Sequence, residues 1–214
     1  MTLPELTPLE ARILGVLVEK EKTTPDTYPL TLNSLASGCN QKSSRDPVMN
    51  ARESEIQSAL EELRSRLLVQ ETYGASGRVL RYAHNFGKCY GVPAGSVALL
   101  AALMLRGPQT VSELRANCER LYRFDDASSV EGYLEELSSR SSGALVLKLS
   151  KQPGEREHRW AHLLCGEAAV AAAETTTKRG ASDGSAFEAR IAQLEQEVAD
   201  LRAEVAQLAA RIAG

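Results

Sequence analysis

The sequence predicts a mainly α fold with small β-hairpins, an α+β class, laid out as one unit repeated twice and followed by a coiled-coil helix. Three observations carry this reading. Capped amphipathic helix patterns give way to short β-type runs in the same order in both halves of the chain. The strings LEELRSR (60–66) and LEELSSR (134–140) agree at six of seven positions, and each falls on the third helix of its unit. Ile191, Leu194, Val198, Leu201, Val205, Leu208 and Ile212 are spaced alternately three and four apart, the heptad signature.

The first unit, 1–91, opens with TPLE. Thr7 caps, Pro8 suits the first helical position and Glu10 completes a capping box. Leu9, Ile13, Val16 and Leu17 then form one stripe. Pro25 and Pro29 bracket a loop, and LNSLASGC reads as a second helix with Leu32, Leu35, Ala36 and Cys39 inward. The polar loop NQKSSRDPVMNAR leads to a third helix, with Ser54 and Gln57 as its expected capping pair and Ile56, Ala59, Leu60, Leu63 and Leu67 as its stripe. Runs at 69–72 and 79–83 around a GASG turn (74–77) read as a hairpin. Three helices and a hairpin in that order describe a winged helix-turn-helix.

The second unit, 92–166, repeats the order. Leu99, Leu100, Leu103 and Met104 lie on a helix ended by Gly107-Pro108. Thr110 and Glu113 box the next helix, which carries Leu114 and Cys118. Ser128 and Glu131 are expected to box the third, which carries Val130, Leu134 and Leu137. Strands at 145–149 and 158–163 flank the KQPGERE wing, and Trp160 is expected to pack beneath it. Residues 167–184, rich in Ala, Thr, Gly and Ser, read as a flexible linker. Residues 185–214 read as the zipper helix, boxed by Ser185 and Glu188. Its β-branched a positions and Leu d positions favour a parallel homodimer, with Arg190 facing Glu195 and Glu197 facing Arg202 of the partner chain. The competing reading folds this helix back on its own chain.

The 214 residues are 43% hydrophobic and 25% charged with a net charge of -3, which excludes a wholly disordered chain, a fibre or a disulfide scaffold. Both units are neutral, so the whole acidic excess lies in 167–214. The longest apolar run, nine residues at 97–105, is too short to span a bilayer. The acidic start has no signal-peptide pattern, so a cytoplasmic protein without membrane association is expected. Cys39, Cys89, Cys118 and Cys165 contain no CxxC pair and are expected to be reduced and mostly buried. No phosphate-binding glycine loop is present. The histidines are His84, His158 and His162, and the last two sit about 13 Å apart along a strand, too far to share a metal. No enzyme activity, cofactor or metal is expected.

The stretch TTPDTYPLTLNSLASGCNQKSSRDPVM, together with LRGPQTVSELR and KLSKQPGEREHRWAHLLCG, resembles the YceH family of bacterial proteins over roughly residues 5–166. The residues that carry the likeness include Tyr28, Pro29, Leu30, Asn33, Cys39, Asn40, Gln41, Lys42, Arg45, Pro47, Val48 and Met49. That resemblance implies tandem winged helices with no established biochemical role. PAGSV (93–97) departs from the family pattern, whose members open the second unit with a Ser cap and an early Glu.

Double-stranded DNA is the first candidate partner, although the third helices are poor readers. Glu55, Glu61 and Glu62 line one and Glu131, Glu135 and Glu136 the other, where phosphates would lie on both sides. Any contact is expected from the loop and wing of the first unit, through Asn40, Gln41, Lys42, Arg45, Arg52, Arg78 and Arg81. The alternative is a protein partner, with the paired units acting as a scaffold module of the kind used in chromosome organisation.

Overall fold

The computed structural model describes residues 5–73, 77, 79–151, 155–167, 169 and 170. Arg78, residues 74–76 and 152–154, the linker apart from residues 167, 169 and 170, and all seven heptad positions from Ile191 to Ile212 lie outside the described residues. The described residues belong to one compact unit, Met1–Val170.

Helix α1 (Pro8–Thr23) starts as its sequence dictates. Thr7 Oγ1 accepts from the Glu10 N–H at 3.2 Å, and a Glu10 carboxylate oxygen accepts from the Thr7 N–H at 2.7 Å. Its residues 10–18 are buried without interruption, Glu10 and Arg12 included. A helix buried on every face must be central, and α1 packs on α2 (Leu32–Cys39), α3 (Glu53–Ser65) and the strand β2 (Leu80–His84). A 3-10 turn (Pro25–Thr27) precedes Leu30, which exchanges two backbone hydrogen bonds with Tyr82 of β2, at 3.1 and 2.8 Å. Strand β1 (Val69–Tyr73) pairs antiparallel with β2, Val69 opposite His84 and Tyr73 opposite Leu80.

A short helix α4 (Phe86–Tyr90) ends at Gly91, whose φ of 61° is the left-handed conformation that terminates helices. Helix α5 (Ala94–Arg106) follows, buried from Gly95 through Leu105, and lies along α1. The approach is close because position 15 is glycine: a Cβ there would sit 2.9 Å from Leu105 Cγ. Strand β3 (Gln109–Thr110), helix α6 (Val111–Cys118) and helix α7 (Ala127–Ser138) come next. Strands β4 (Val146–Lys148) and β5 (Arg159–His162) complete a three-stranded sheet in the order β3-β5-β4. Both halves therefore run helix, edge pairing, helix, helix, hairpin, with the edge residue on the last strand each time. One hydrophobic cluster runs through both, from Leu14 and Leu17 to Leu99, Leu103 and Trp160.

Two caps differ from expectation. Helix α3 begins two residues earlier than a cap at Ser54 would set it, with the Arg52 N–H donating to Glu55 Oε2 at 2.7 Å. Helix α7 is capped by Asp126, which accepts from the Ser129 N–H at 2.7 Å, not by Ser128. An ionised carboxylate is a stronger acceptor than a hydroxyl and complements the positive end of the helix. No helix among the described residues is long and apolar enough to cross a membrane.

Candidate functional site

The loop between α2 and α3 carries five of the seven residues expected to touch nucleic acid, and the structure uses Asn40, Gln41 and Arg45 to build the loop itself. Arg45 is buried, with a side chain 0% exposed. Its Nη1 and Nη2 donate to the two carboxylate oxygens of Glu19 at 3.2 and 2.7 Å. Its Nε donates to the Gly38 carbonyl at 3.1 Å, Nη1 also to the Ser44 carbonyl at 2.9 Å, and Nη2 also to Gln41 Oε1. Five N–H groups meet five acceptors, so none is left for a phosphate or a base. Burial alone would push the Glu19 carboxyl up; hydrogen bonds and the charge of Arg45 outweigh it and hold the group below its usual value.

Asn40, chosen for its two-headed amide, spends both heads on one peptide. Its Nδ2 donates to the Ala51 carbonyl at 2.9 Å, and its Oδ1 accepts the Ala51 N–H at 2.8 Å. Arg81 on β2 donates to the carbonyls of Pro29 and Thr27 at 2.7 and 3.2 Å and so fixes the segment before α2. Arg52 is exposed and paired at 2.9 Å with Glu55 on its own helix. Lys42 is exposed and has no ion pair among the described residues. The structure thus brings Asn40, Gln41, Lys42, Arg45 and Arg52 onto one loop, places Arg81 under a neighbouring segment, and leaves Lys42 and Arg52 facing solvent.

Arg12 is the residue that sequence reasoning missed. It is 1% exposed on α1, yet it donates to the Cys39 carbonyl at 3.1 Å and the Pro47 carbonyl at 2.7 Å, one at each side of the loop. The Asp46 N–H then donates to the Leu105 carbonyl at 2.8 Å, at the end of α5. The loop is therefore held to both central helices. The available signal was a charged residue inside the run EARILGVLV, where a solvated charge has no place.

The third helices keep their acidic faces. On α3, Glu55, Glu61 and Glu62 are exposed, whereas Arg64 pairs with Glu71 at 2.8 Å and Arg66 lies 3.5 Å from Glu10 and 3.8 Å from Glu62. On α7, Glu135 and Glu136 are exposed, and Arg140 just beyond its end donates to the Tyr90 carbonyl at 2.7 Å. On β5 Arg159 forms a two-pronged pair with Glu113 at 2.8 and 3.1 Å and reaches Glu155 at 3.2 Å. Lys148 lies 5.4 Å from the Trp160 ring centre and 3.5 Å from Glu131. Burial pushes the Cys39 and Cys118 thiols up to about 12, so neither supplies a thiolate nucleophile near neutral pH.

Comparison with known proteins gives a consistent picture. Residues 6–155 match the family model described as "Protein of unknown function, DUF480". A UPF0502 protein from Leptothrix cholodnii is 56% identical over 193 residues, covering 90% of this chain and 86% of the relative. One from Dechloromonas aromatica is 54% identical over 196 residues, covering 91% of each. One from an Acidovorax species is 56% identical over 199 residues, covering 90% of this chain and 87% of the relative.

Proposed function

The chain belongs to the DUF480 (UPF0502) family, and we propose that it is a non-catalytic protein-interaction module of two tandem winged helices, over 1–91 and 92–166. In this reading the linker leads to a C-terminal helix that pairs two chains into a dimer. The partner presents a basic protein surface to the acidic faces of α3 and α7.

One observation supports the reading: Arg45, Arg64, Arg66, Arg81 and Arg159 are spent on internal contacts, while Glu61 on α3 and Glu135 and Glu136 on α7 are exposed with no cation partner among the described residues. Arg45 and Arg81 hold backbone carbonyls, Arg64 and Arg66 answer carboxylates, and Arg159 is closed by Glu113 and Glu155. Phosphate contacts need available Lys and Arg, and each one lost removes its counterion release. A protein partner with complementary charge needs no such surplus. The decisive experiment is affinity purification of full-length wild type beside Glu61→Lys and Glu135→Lys. A stoichiometric partner that is retained by wild type and released by the reversals supports the reading; the same partner in all three samples sinks it.

DNA binding is the second reading, favoured by the exposure of Lys42 and Arg52 on one loop. Titration of a labelled duplex at low salt separates the two. Saturable binding that weakens when Lys42 and Arg52 are replaced by Ala would make DNA the partner.

A further inference from the structure

A cavity of about 300 Å³ opens between α1, α4 and α5, at the lower end of the range for small-molecule sites. Its apolar wall comes from Val18 of α1, Val92 of the connection, Val97 and Ala98 of α5, and Leu121 beyond α6. Its rim is polar and uneven in charge. Glu21 and Lys22 face each other at 2.9 Å and cancel. Lys88 on α4 is exposed, lines the cavity, and has no ion pair among the described residues. That leaves one positive charge unanswered at the mouth.

Two further features point at a ligand. Ala94, the first residue of the thirteen-residue α5, lines the cavity, and this helix starts after Pro93 with no side-chain cap. The start of the helix therefore lies at the cavity, and its first-turn N–H groups have no side-chain cap. His84, at the end of β2, has a side chain only 10% exposed, and neither ring nitrogen has a hydrogen-bond partner among the described residues. Glu21 Oε2 approaches Nε2 no closer than 3.5 Å. Burial depresses the His84 pKa, with Glu21 opposing, so the ring is neutral and offers one N–H and one lone pair. An unpaired buried polar group costs free energy that a bound partner recovers.

We propose that this cavity binds a small monocarboxylic acid, its carboxylate held between Lys88 and the first turn of α5 and its apolar body against Val18, Val97 and Leu121. The chemistry selects each part. A single unanswered cation matches one negative charge, whereas a phosphate dianion would leave its second charge uncompensated. A cation would face Lys88 and the positive helix end together. A sugar would leave its hydroxyls against the valine wall.

The test is calorimetric titration of the full chain with octanoate and, as the charge-reversed control, octylamine, with the His84 ring resonances as a local readout. Lys88→Glu and Ala94→Trp both change exposed positions, so both variants are expected to fold, as circular dichroism will verify. Octanoate is expected to saturate and shift the His84 resonances, with octylamine at least about tenfold weaker. Lys88→Glu should weaken octanoate by about tenfold, and Ala94→Trp should abolish its binding. The proposal fails if octanoate shows no saturable binding at about 1 mM, if octylamine binds equally well, or if Ala94→Trp leaves binding intact.

Discussion

Arg45 closes a two-pronged ion pair on Glu19, at 3.2 and 2.7 Å, across 26 residues of chain. The pair joins the loop between α2 and α3 to the central helix. The guanidinium thereby anchors the loop and is withdrawn from solvent. Because the Arg45 guanidinium is fully buried and fully hydrogen-bonded, and Glu19 is only 19% exposed, removing one partner leaves the other charge without its counter-ion in a largely dehydrated place. Arg45→Ala should lower unfolding free energy by about 3–5 kcal/mol in urea titrations. Glu19→Gln should also destabilise, and the double variant should lose less than the sum of the two. A change within about 0.5 kcal/mol for Arg45→Ala would remove the anchor from the account.

The same loop separates building residues from surface ones. Asn40→Ala breaks two hydrogen bonds to Ala51 and should cost about 1–3 kcal/mol, read from the same titrations. Lys42→Ala and Arg52→Ala should leave the denaturation midpoint where it is, because neither side chain supports the loop. A lowered midpoint for Lys42→Ala would show that this lysine is structural as well.

Acid should destabilise the protein through its histidines. His162 is half-buried as a residue, but its Nδ1 is closed to solvent and unpartnered, and burial pushes its pKa down to about 4. The unfolded chain titrates near 6.5, so between about pH 6.5 and 4 the unfolded state binds the extra proton. Stability therefore rises with pH across that window and is lost as pH falls through it; His84, also depressed by burial, acts in the same direction. Urea unfolding at pH 5 should show about 2 kcal/mol less stability than at pH 7 from His162. His162→Gln should flatten that dependence, and an unchanged pH profile in the variant would refute the assignment.

The helices and hairpins were legible because their signals are local. Thr7 with Glu10, Thr110 with Glu113, and the apolar spacings each act within one or two turns. Edge pairings were not legible: Leu30 on Tyr82, and Gln109 with Thr110 on β5, are one and two residues long and carry no periodicity. The cap of α3 was misplaced because a hydroxyl at Ser54 is the better capping type, yet Glu55 reaches back to the Arg52 N–H and sets the start two residues before Ser54. The surroundings of the candidate site residues were hard to read for a different reason. Whether an arginine faces DNA or a carbonyl depends on partners far along the chain, as with Arg45 and Glu19, Arg12 and Pro47, or Arg81 and Pro29. Residue type fixes what a side chain can bond, and only the fold fixes what it meets.

Two glycines in helices offer a matched test of how α1 and α5 meet. A Cβ at Gly15 would lie 2.9 Å from Leu105 Cγ, 3.0 Å from its Cδ2 and 3.4 Å from Met104 Cβ, all on the buried face of α5. Gly132 sits exposed in α7, and a Cβ there would meet nothing within 4 Å. Alanine has the better helix propensity at both places, by about 1 kcal/mol. At position 132 nothing opposes that gain, so Gly132→Ala should stabilise by about 0.5–1 kcal/mol. At position 15 the added methyl must push Leu105 out of a packed core, which costs about 1–3 kcal/mol and outweighs the propensity gain. Gly15→Ala should therefore lower the melting temperature while Gly132→Ala raises it, both followed by thermal circular dichroism. Equal stabilisation in the two variants would mean that α1 and α5 are not in contact at Gly15 in solution.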